Sequence, residues 1–304
     1  MKSTKLFKSL IMTTILSLLV VYTLITPVFA AYTTNVNLGN ATSFAVLGGS
    51  AVTNTGPTVL SGTAGNNVGV SPGTSITENT LISMGGGTKY TGVDEMAVNA
   101  QNALGAAFVD AAGRTPTTTI AVELGGTTLV SGVYSNTTFE LTGTLTLDAE
   151  NDPTSVFIFQ SGSTFVTAGT SSVVLVNGAD ACNIYWVVGS SATLGTNSIL
   201  YGHVLAQESI TATTGATIYG SLLAGSGAVT LDTNTIVNNA CITVTPPVTP
   251  PVTPPVTPPV TAPVETTTPS PLPTTSSPLD IVFIIGGALV LVGAAGWVFK
   301  KKSV

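Results

Sequence analysis

The feature that most constrains the fold is a near-repeat over residues 191–242. The segment SATLGTNSILYGHVLA is followed by SITATTGATIYGSLLA and then by the looser GAVTLDTNTIVNNACI. Equivalent residues of the first two segments lie 18 positions apart, as Gly202 and Gly220 do. A short period that is rich in Thr, Ser, Gly and β-branched residues is typical of the stacked coils of a β-solenoid. The repeat therefore predicts a solenoid whose surface carries columns of recurring residues.

Threonine recurs in each repeat as Thr-x-x-Thr, and one further copy lies upstream. The four pairs are Thr167 and Thr170, Thr193 and Thr196, Thr211 and Thr214, and Thr230 and Thr233. Coils stack about 4.8 Å apart, so one residue per coil forms a regular column. Positions i and i+3 point to opposite sides of an ideal strand, so one member of each pair is expected on a common face, and the sequence leaves open which. The alternative is that these threonines merely form strands or mark turns.

The positive charges lie almost entirely at the two ends of the chain. The 304 residues have a formal net charge of −6, and between the terminal lysines the only basic residues are Lys89 and Arg114. Nucleic-acid binding needs clustered Lys and Arg to displace counterions, so this class of function is excluded. The surface of the central region must instead consist of uncharged Thr, Ser, Asn and Gly.

Both ends carry export and anchoring signals. Residues 1–30 combine three lysines, an apolar run and a small-residue cleavage site, which predicts a secretory signal peptide; a retained N-terminal anchor is the alternative. Residues 245–279 iterate TPPV and predict an extended polyproline stalk. Residues 280–299 have the length and apolarity of a transmembrane helix, and the lysines of residues 300–304 favour a cytoplasmic tail. We therefore expect a single-pass cell-membrane protein that holds residues 31–244 outside the cell.

One helix interrupts the strand-rich region between these ends. The stretch VDEMAVNAQNALGAAFVDAA predicts an amphipathic helix over residues 93–112. The apolar stripe is expected to contain Met96, Ala100, Ala103, Leu104, Ala107, Val109 and Ala111. The remaining segments read as short strands separated by Gly, Asn and Asp, so the region is mainly β.

The two cysteines, Cys182 and Cys241, lie in the exported region, where a disulfide is plausible. About three coils separate them, so a direct bridge requires the chain after Asn239 to fold back along the solenoid. The alternative is that both are small buried residues.

Several motifs together resemble the ice-binding protein family of polar and cold-adapted microbes. They are LGNATSFAVLGGSAVTNTG (residues 38–56), the helix, LDAENDPTSVFIFQ (147–160) and ACNIYWVVGSSATLGTNSILYGHVLA (181–206). The resemblance implies a discontinuous right-handed parallel β-helix of roughly triangular section, with the first segment closing beside the last coils and one α-helix packed alongside. It also implies that one flat face binds ice or ordered water, which makes the eight paired threonines candidate ice-binding residues.

An enzymatic function is an alternative, because parallel β-helices also occur in polysaccharide lyases and hydrolases. Such sites need paired carboxylates, a catalytic base or a bound calcium ion. His203, the only histidine, is expected to be structural, and Asp148, Glu150 and Asp152 are expected to bend a turn. Arg114 is expected to pair with Asp110 or with helix carbonyls. We therefore expect neither catalysis nor a cofactor or metal.

The competing class of function is structural. A solenoid on a Pro/Thr stalk also suits a surface adhesin or envelope protein that binds glycans or neighbouring cells. The sequons at Asn40 and Asn136 permit glycosylation in such a setting.

Overall fold

The computed structural model describes residues 34–78 and 80–239. The strands of this part of the chain pair in parallel and form three sheets, A, B and C. Sheet A contains β1 (Phe44–Gly48), β4 (Asn67–Val70), β6 (Lys89–Thr91), β7 (Thr118–Thr119), β9 (Gly132–Asn136), β12 (Phe157–Ser161), β15 (Ile184–Val188), β18 (His203–Ala206) and β21 (Leu222–Ala224). Sheet B contains β2 (Ala51–Asn54), β5 (Ser75–Glu78), β10 (Phe139–Leu141), β13 (Phe165–Thr167), β16 (Ala192–Leu194), β19 (Ile210–Ala212) and β22 (Val229–Leu231). Sheet C contains β3 (Val59–Ser61), β8 (Thr128–Leu129), β11 (Thr144–Asp148), β14 (Ser172–Val176), β17 (Ile199–Tyr201), β20 (Thr217–Tyr219) and β23 (Thr235–Val237).

Each complete coil of the solenoid passes from sheet A to sheet B and then to sheet C, whereas β4 and β5 contribute only to sheets A and B, and β7 and β8 only to sheets A and C. The side chains that point inward from the three sheets form one continuous apolar core. The predicted parallel β-helix is therefore confirmed, and the 18-residue repeats correspond to its last three coils.

The coil order is discontinuous in sequence. The coil of β1, β2 and β3 stacks on the last coil, β21, β22 and β23, with register pairs such as Val46 with Leu222 and Val52 with Val229. The first described coils thus extend the stack beyond the last ones, as the family resemblance implies. We call this junction the seam.

The single long helix, α1 (Glu95–Gly113), lies along the outer side of sheet A. Its buried residues are Ala97, Ala100, Leu104, Ala107 and Ala111. The prediction was wrong for Met96 and Val109, which are 40% and 71% exposed. Met96 lies one residue, about 100° around the helix, from Ala97, and Val109 lies two residues from both Ala107 and Ala111, nearly opposite them on the helix. The stripe is mostly alanine, so the helix axis approaches the sheet closely.

The C-terminal end of α1 is held by polar contacts. Arg114 forms an ion pair with Asp110 at 2.8 Å and donates hydrogen bonds to the carbonyls of Thr34 and Asn35. The side-chain amide of Gln160 donates to the carbonyl of Ala111 at 2.8 Å. The expected pairing of Arg114 with Asp110 is confirmed, and the same guanidinium also fastens the start of the described chain.

The acidic cluster serves the turn after β11. Asp148 accepts a hydrogen bond from the backbone N–H of Glu150, and Asp152 accepts one from that of Thr154. Glu150 itself has a φ of 52°. Among the described residues, no group of three or more His, Cys, Asp or Glu is placed to hold a metal ion. The side chains of Asp148 and Asp152 thus bend the backbone, as the sequence predicted.

The expected signal peptide, stalk and transmembrane helix lie outside the described residues. Within residues 34–78 and 80–239, no helix combines the length and apolar character needed to cross a membrane.

Candidate functional site

Sheet B places five threonines in one outward-facing column. The register pairs Thr193 with Thr211, Thr211 with Thr230, Thr230 with Thr53, and Thr53 with Thr77. We call these residues the threonine column. At the coil spacing of a parallel sheet the column is roughly 19 Å long.

Buried residues on either side fix four of the five threonines of the column, and half-buried Ile76 and Glu78 flank Thr77. In β19, for example, Ile210 and Ala212 point into the core, so that Thr211 must point outward. Because β-branching restricts χ1, the methyl and hydroxyl of each threonine hold a definite orientation relative to the backbone. Across the seam, the Thr53 hydroxyl donates to the Thr230 hydroxyl at 3.3 Å. The column is therefore continuous even where the chain is not.

A second row of small residues runs beside the column, two positions earlier in each coil. Its members are Ser191, Ser209, Ala228, Ala51 and Ser75, and we call them the small-residue row. The Ser191 and Ser209 hydroxyls accept hydrogen bonds from the backbone N–H of the next coil, at 3.2 and 3.3 Å. No residue of either row carries a charge, so the two rows form a flat, uncharged surface.

The column ends at the coil below Thr193. There the outward position is taken by Val166, and in the next coil by Glu140, whose strand bridges to Glu123. The carboxylate of Glu123 accepts hydrogen bonds from the backbone N–H groups of Gly125 and Thr142. Desolvation by itself would raise the pKa of Glu123, but these hydrogen bonds to the charged carboxylate together outweigh it and lower the pKa. Acidic groups therefore bound the uncharged surface at this end.

The paired threonines divide between the face and the corner. The first members Thr193, Thr211 and Thr230 lie in the column, whereas Thr167 is only 3% exposed and cannot contact a surface ligand. Its hydroxyl accepts a hydrogen bond from the Gly195 N–H at 2.8 Å. Thr167 fails as a candidate because Val166, and not Thr167, is in register with Thr193.

The second members lie at the corner between sheets B and C. Thr170 and Thr233 have φ values of 59° and 54°, which are turn conformations. The Thr214 hydroxyl donates to the carboxylate of Asp232, and the Thr196 hydroxyl lies 3.3 Å from that of Thr213. These four threonines border the flat surface and do not form its column.

The other two faces lack this regularity. Sheet A is covered by α1. On sheet C, one outward column contains Thr144, Ser172, Ile199, Thr217, Thr235 and Val59, and the adjacent one includes the stacked rings of Tyr201 and Tyr219. Mixed side-chain sizes make this face uneven, so sheet B is the candidate functional face.

Sequence reasoning missed Thr53 and Thr77. Each is the single outward threonine of a short strand, in Val52-Thr53-Asn54 and Ile76-Thr77-Glu78. Two features of the sequence could have indicated them: each threonine follows an apolar residue in a short strand, and the first segment was expected to close beside the last coils.

A buried hydrogen-bond network supports the seam behind the column. The hydroxyl of Thr58 donates to Asn54 Oδ1 at 2.7 Å and accepts from the backbone N–H of Asn234 at 3.1 Å. Asn234 in turn donates to the carbonyl of Thr213 at 2.8 Å, and Asn54 donates to that of Thr80. The network thus joins four successive coils and sets the register of Thr53 on Thr230.

Replacing Thr58 by valine is expected to lower the free energy of unfolding by about 2 kcal/mol, because it leaves buried polar partners unsatisfied. Thr58→Ser keeps the hydroxyl and should cost less than about 1 kcal/mol for the lost methyl. Urea denaturation of both variants measures the difference. Equal losses for valine and serine would contradict a role of the hydroxyl at the seam.

His203 lies away from the threonine column, on the outer side of β18 at the corner between sheets C and A, where its ring stacks on that of Tyr185. Its Nδ1 is 2.8 Å from the Ser221 hydroxyl, and its Nε2 is buried without a hydrogen-bond partner. Complete burial lowers the pKa of His203 to about 4. A neutral, enclosed imidazole of this kind supports the structural role that the sequence predicted.

This burial predicts acid sensitivity of the fold. Below pH 6.5, the ordinary pKa of histidine, His203 binds a proton in the unfolded chain but stays neutral in the folded chain. The free energy of unfolding therefore falls as the pH drops. Between pH 6.5 and about 4, His203 should remove about 3 kcal/mol of unfolding free energy. His203→Gln should flatten this part of the pH profile in denaturant titrations. An unchanged profile would place the acid sensitivity elsewhere.

Comparison with known proteins identifies relatives of the whole solenoid. The sequence profile of a family described as ice-binding-like matches residues 46–237. An ice-binding protein of Nostoc sp. (strain HG1) is 47% identical over 209 residues, which cover 68% of this chain and 75% of that protein. An ice-binding protein of Colwellia sp. is 34% identical over 69% of this chain and 86% of its own length.

Solved structures agree with this relationship. The crystal structure of an ice-binding protein from the Antarctic ascomycete Antarctomyces psychrotrophicus has 42% sequence identity and a TM-score of 0.62. The match covers 68% of this chain and 100% of that chain. A domain equivalent to the solenoid thus exists as a complete folded unit.

Proposed function

The chain belongs to the ice-binding-like family, and we propose that it adsorbs to ice through the threonine column and small-residue row of sheet B. The observation that carries this proposal is the set of five consecutive threonines in register on one flat, uncharged surface. The relatives named above support it, since each is called an ice-binding protein.

The chemistry of the surface suits a solid made of water. Threonine hydroxyls anchor water by hydrogen bonds, and the neighbouring methyl groups order the water between the anchors. The coil spacing of about 4.8 Å repeats this pattern at regular intervals. A charged side chain would impose its own hydration shell, but neither row contains one. The surface therefore holds a regular water layer that can join the ice lattice.

The direct test uses residues 31–244 as a purified domain, which the solved relative justifies because it consists wholly of the equivalent part. This domain should shape growing ice crystals and stop the coarsening of polycrystalline ice at micromolar concentration. Unfaceted crystals and ordinary coarsening would refute ice binding. Binding of the same domain to glycan arrays or to cells would then favour the adhesin alternative.

We further propose that the domain is displayed on the cell membrane. The proposal is supported by the signal peptide predicted at residues 1–30, the stalk predicted at 245–279 and the apolar character of the sequence at 280–299. In membranes of cells that express the full chain, the protein should resist carbonate extraction, and external protease should release the solenoid from intact cells. Recovery of the full-length chain from the soluble fraction would contradict anchoring.

A further inference from the structure

Val166 continues the threonine column by one position, although it carries no hydroxyl. It pairs in register with Thr193, and its neighbours Phe165 and Thr167 are both buried. Val166 must therefore point outward, where it is 41% exposed. Valine shares the β-branching of threonine and carries a methyl group where threonine has its hydroxyl. This coil thus keeps the shape of the column and lacks only the hydrogen-bonding group.

The coil of Val166 crosses sheet B along the same path as the coil of Thr193. Val166 lies seven positions after Phe159 of sheet A and six positions before Ser172 of sheet C. Thr193 has the same two spacings to the register partners of those residues. The stretch from Val166 to Thr193 is 27 residues long, so its additional residues lie at the corner between sheets C and A. The backbone of sheet B therefore continues unchanged as far as Val166.

Contacts with the coil of Thr193 hold Val166 in place. The ring of Phe165 stacks on that of Trp186, with centroids 4.5 Å apart. The Thr167 hydroxyl accepts a hydrogen bond from the Gly195 N–H at 2.8 Å, so the residues before and after Val166 are both fixed. A side chain held in this way loses little conformational freedom when it contacts a solid surface.

The small-residue row also continues into this coil. Thr164, two positions before Val166, lies beside Ser191, because the residues that follow them are in register. The backbone N–H of Phe165 donates to the carbonyl of Ser191 at 3.3 Å. Both rows thus extend by one coil, and neither gains a charged group.

The surface changes at the next coil, in both its charge and its path. Glu140 takes the outward position in register with Val166 and bridges to Glu123. It lies six positions after Tyr134 of sheet A and only four before Thr144 of sheet C. Both connections are shorter than those on either side of Val166, and the outward group is a carboxylate, which is costly to desolvate. The regular, uncharged surface therefore stops between Val166 and Glu140.

We propose that Val166 is a sixth ice-contacting position and that Glu140 marks the end of the contact surface. This inference rests on the proposed function and deepens it, because it sets how far along the solenoid ice is contacted. Six positions at the coil spacing span roughly 24 Å, compared with roughly 19 Å for the five threonines. Val166 contributes methyl groups that fit against the ice, and the threonine column beside it supplies the anchoring hydroxyls.

An exposed valine is also an ordinary strand residue, and Val174 provides the comparison. Val174 lies in the same coil, points outward from sheet C and is 39% exposed, nearly as much as Val166. Lysine should be equally compatible with the fold at both positions. A difference in ice activity between the two lysine variants therefore reports contact with ice.

The test compares lysine variants of the purified domain, residues 31–244. Val166→Lys should raise the concentration needed to stop ice recrystallisation about fivefold or more, because a hydrated charge then lies inside the contact surface. Val174→Lys and Glu140→Lys should stay within about twofold of wild type, since both positions lie outside that surface. Val166→Thr adds an anchoring hydroxyl and should lower the required concentration about twofold. Circular dichroism melting checks that each variant folds.

The outcomes separate this inference from the proposed function. If the wild-type domain is active and Val166→Lys is as active as Val174→Lys, the sixth position is overturned and ice binding stands. A loss in Glu140→Lys as large as that in Val166→Lys would overturn Glu140 as the limit of the surface. Absence of ice activity in the wild-type domain would refute the proposed function and this inference together.

Discussion

The double substitution Thr211→Tyr with Thr230→Tyr is expected to abolish the ice activity of residues 31–244 while the fold stays intact. The two residues are adjacent in the threonine column, and both side chains point away from the core. A tyrosine ring projects well beyond a threonine methyl, so it holds the protein surface away from ice over the coils on either side. We expect the concentration needed to stop ice recrystallisation to rise more than about tenfold, which corresponds to about 1.4 kcal/mol of adsorption free energy.

The same two coils supply the matched control. Thr217 and Thr235 pair in register on the outward side of sheet C, as Thr211 and Thr230 do on sheet B. Thr217→Tyr with Thr235→Tyr should leave ice activity within about twofold of wild type, a difference near 0.4 kcal/mol. Circular dichroism melting of both double variants tests folding. Full activity of the sheet B variant, or loss of activity in the sheet C variant, would move the ice-binding surface away from the threonine column.

The largest expected loss of stability follows from Trp186→Ala. Trp186 is 1% exposed and stacks between Phe159 at 4.2 Å and Phe165 at 4.5 Å, as ring-centroid distances. Its indole N–H also donates to the carbonyl of Tyr201 at 2.9 Å. Truncation removes both stacking contacts and leaves a cavity, which should cost about 3–5 kcal/mol. For a domain of this size the melting temperature should fall by roughly 10 °C.

Two variants keep this prediction open to contradiction. Trp186→Phe retains an aromatic ring in the stack and should fold with a smaller loss, even if the alanine variant does not fold. Val109→Ala, on the exposed side of α1, should change the unfolding free energy by less than about 0.5 kcal/mol. If thermal melts show the same melting temperature for Trp186→Ala as for Val109→Ala, the aromatic stack does not stabilise the core as its geometry indicates.

The repeat was the most informative part of the sequence for the fold. The 18-residue spacing predicted stacked coils because the same inward and outward positions must recur in each coil. Thr193, Thr211 and Thr230 were proposed as candidates on this basis, and the structure places all three in one column. The disulfide was proposed as one of two alternatives. Cys182 is disulfide-bonded, and its pairing with Cys241 stays a prediction because Cys241 lies outside the described residues.

Register was the part that spacing alone did not predict. The pair Thr167 and Thr170 has the same spacing as the other pairs, but its coil is 27 residues long when measured from Val166 to Thr193, so the shared motif is not in register. Thr53 was missed because its neighbour Thr230 comes from the other end of the described chain, and Thr77 was missed because it joins the column only through Thr53. Met96 was misplaced because helical spacing fixes a stripe only to within one residue, and the neighbouring Ala97 is the buried residue of that turn.

The seam also determines when the surface comes into existence. Thr53 and Thr230 are 177 positions apart in the chain, yet their hydroxyls touch in the middle of the column. Contacts of such high sequence separation form late and slowly, because a long loop must close before they contribute. A nascent chain therefore presents its first coils with no partner until the last repeats have followed. We expect it to be inactive towards ice until the whole domain has been synthesised, so that a truncated chain has no activity and not a partial one.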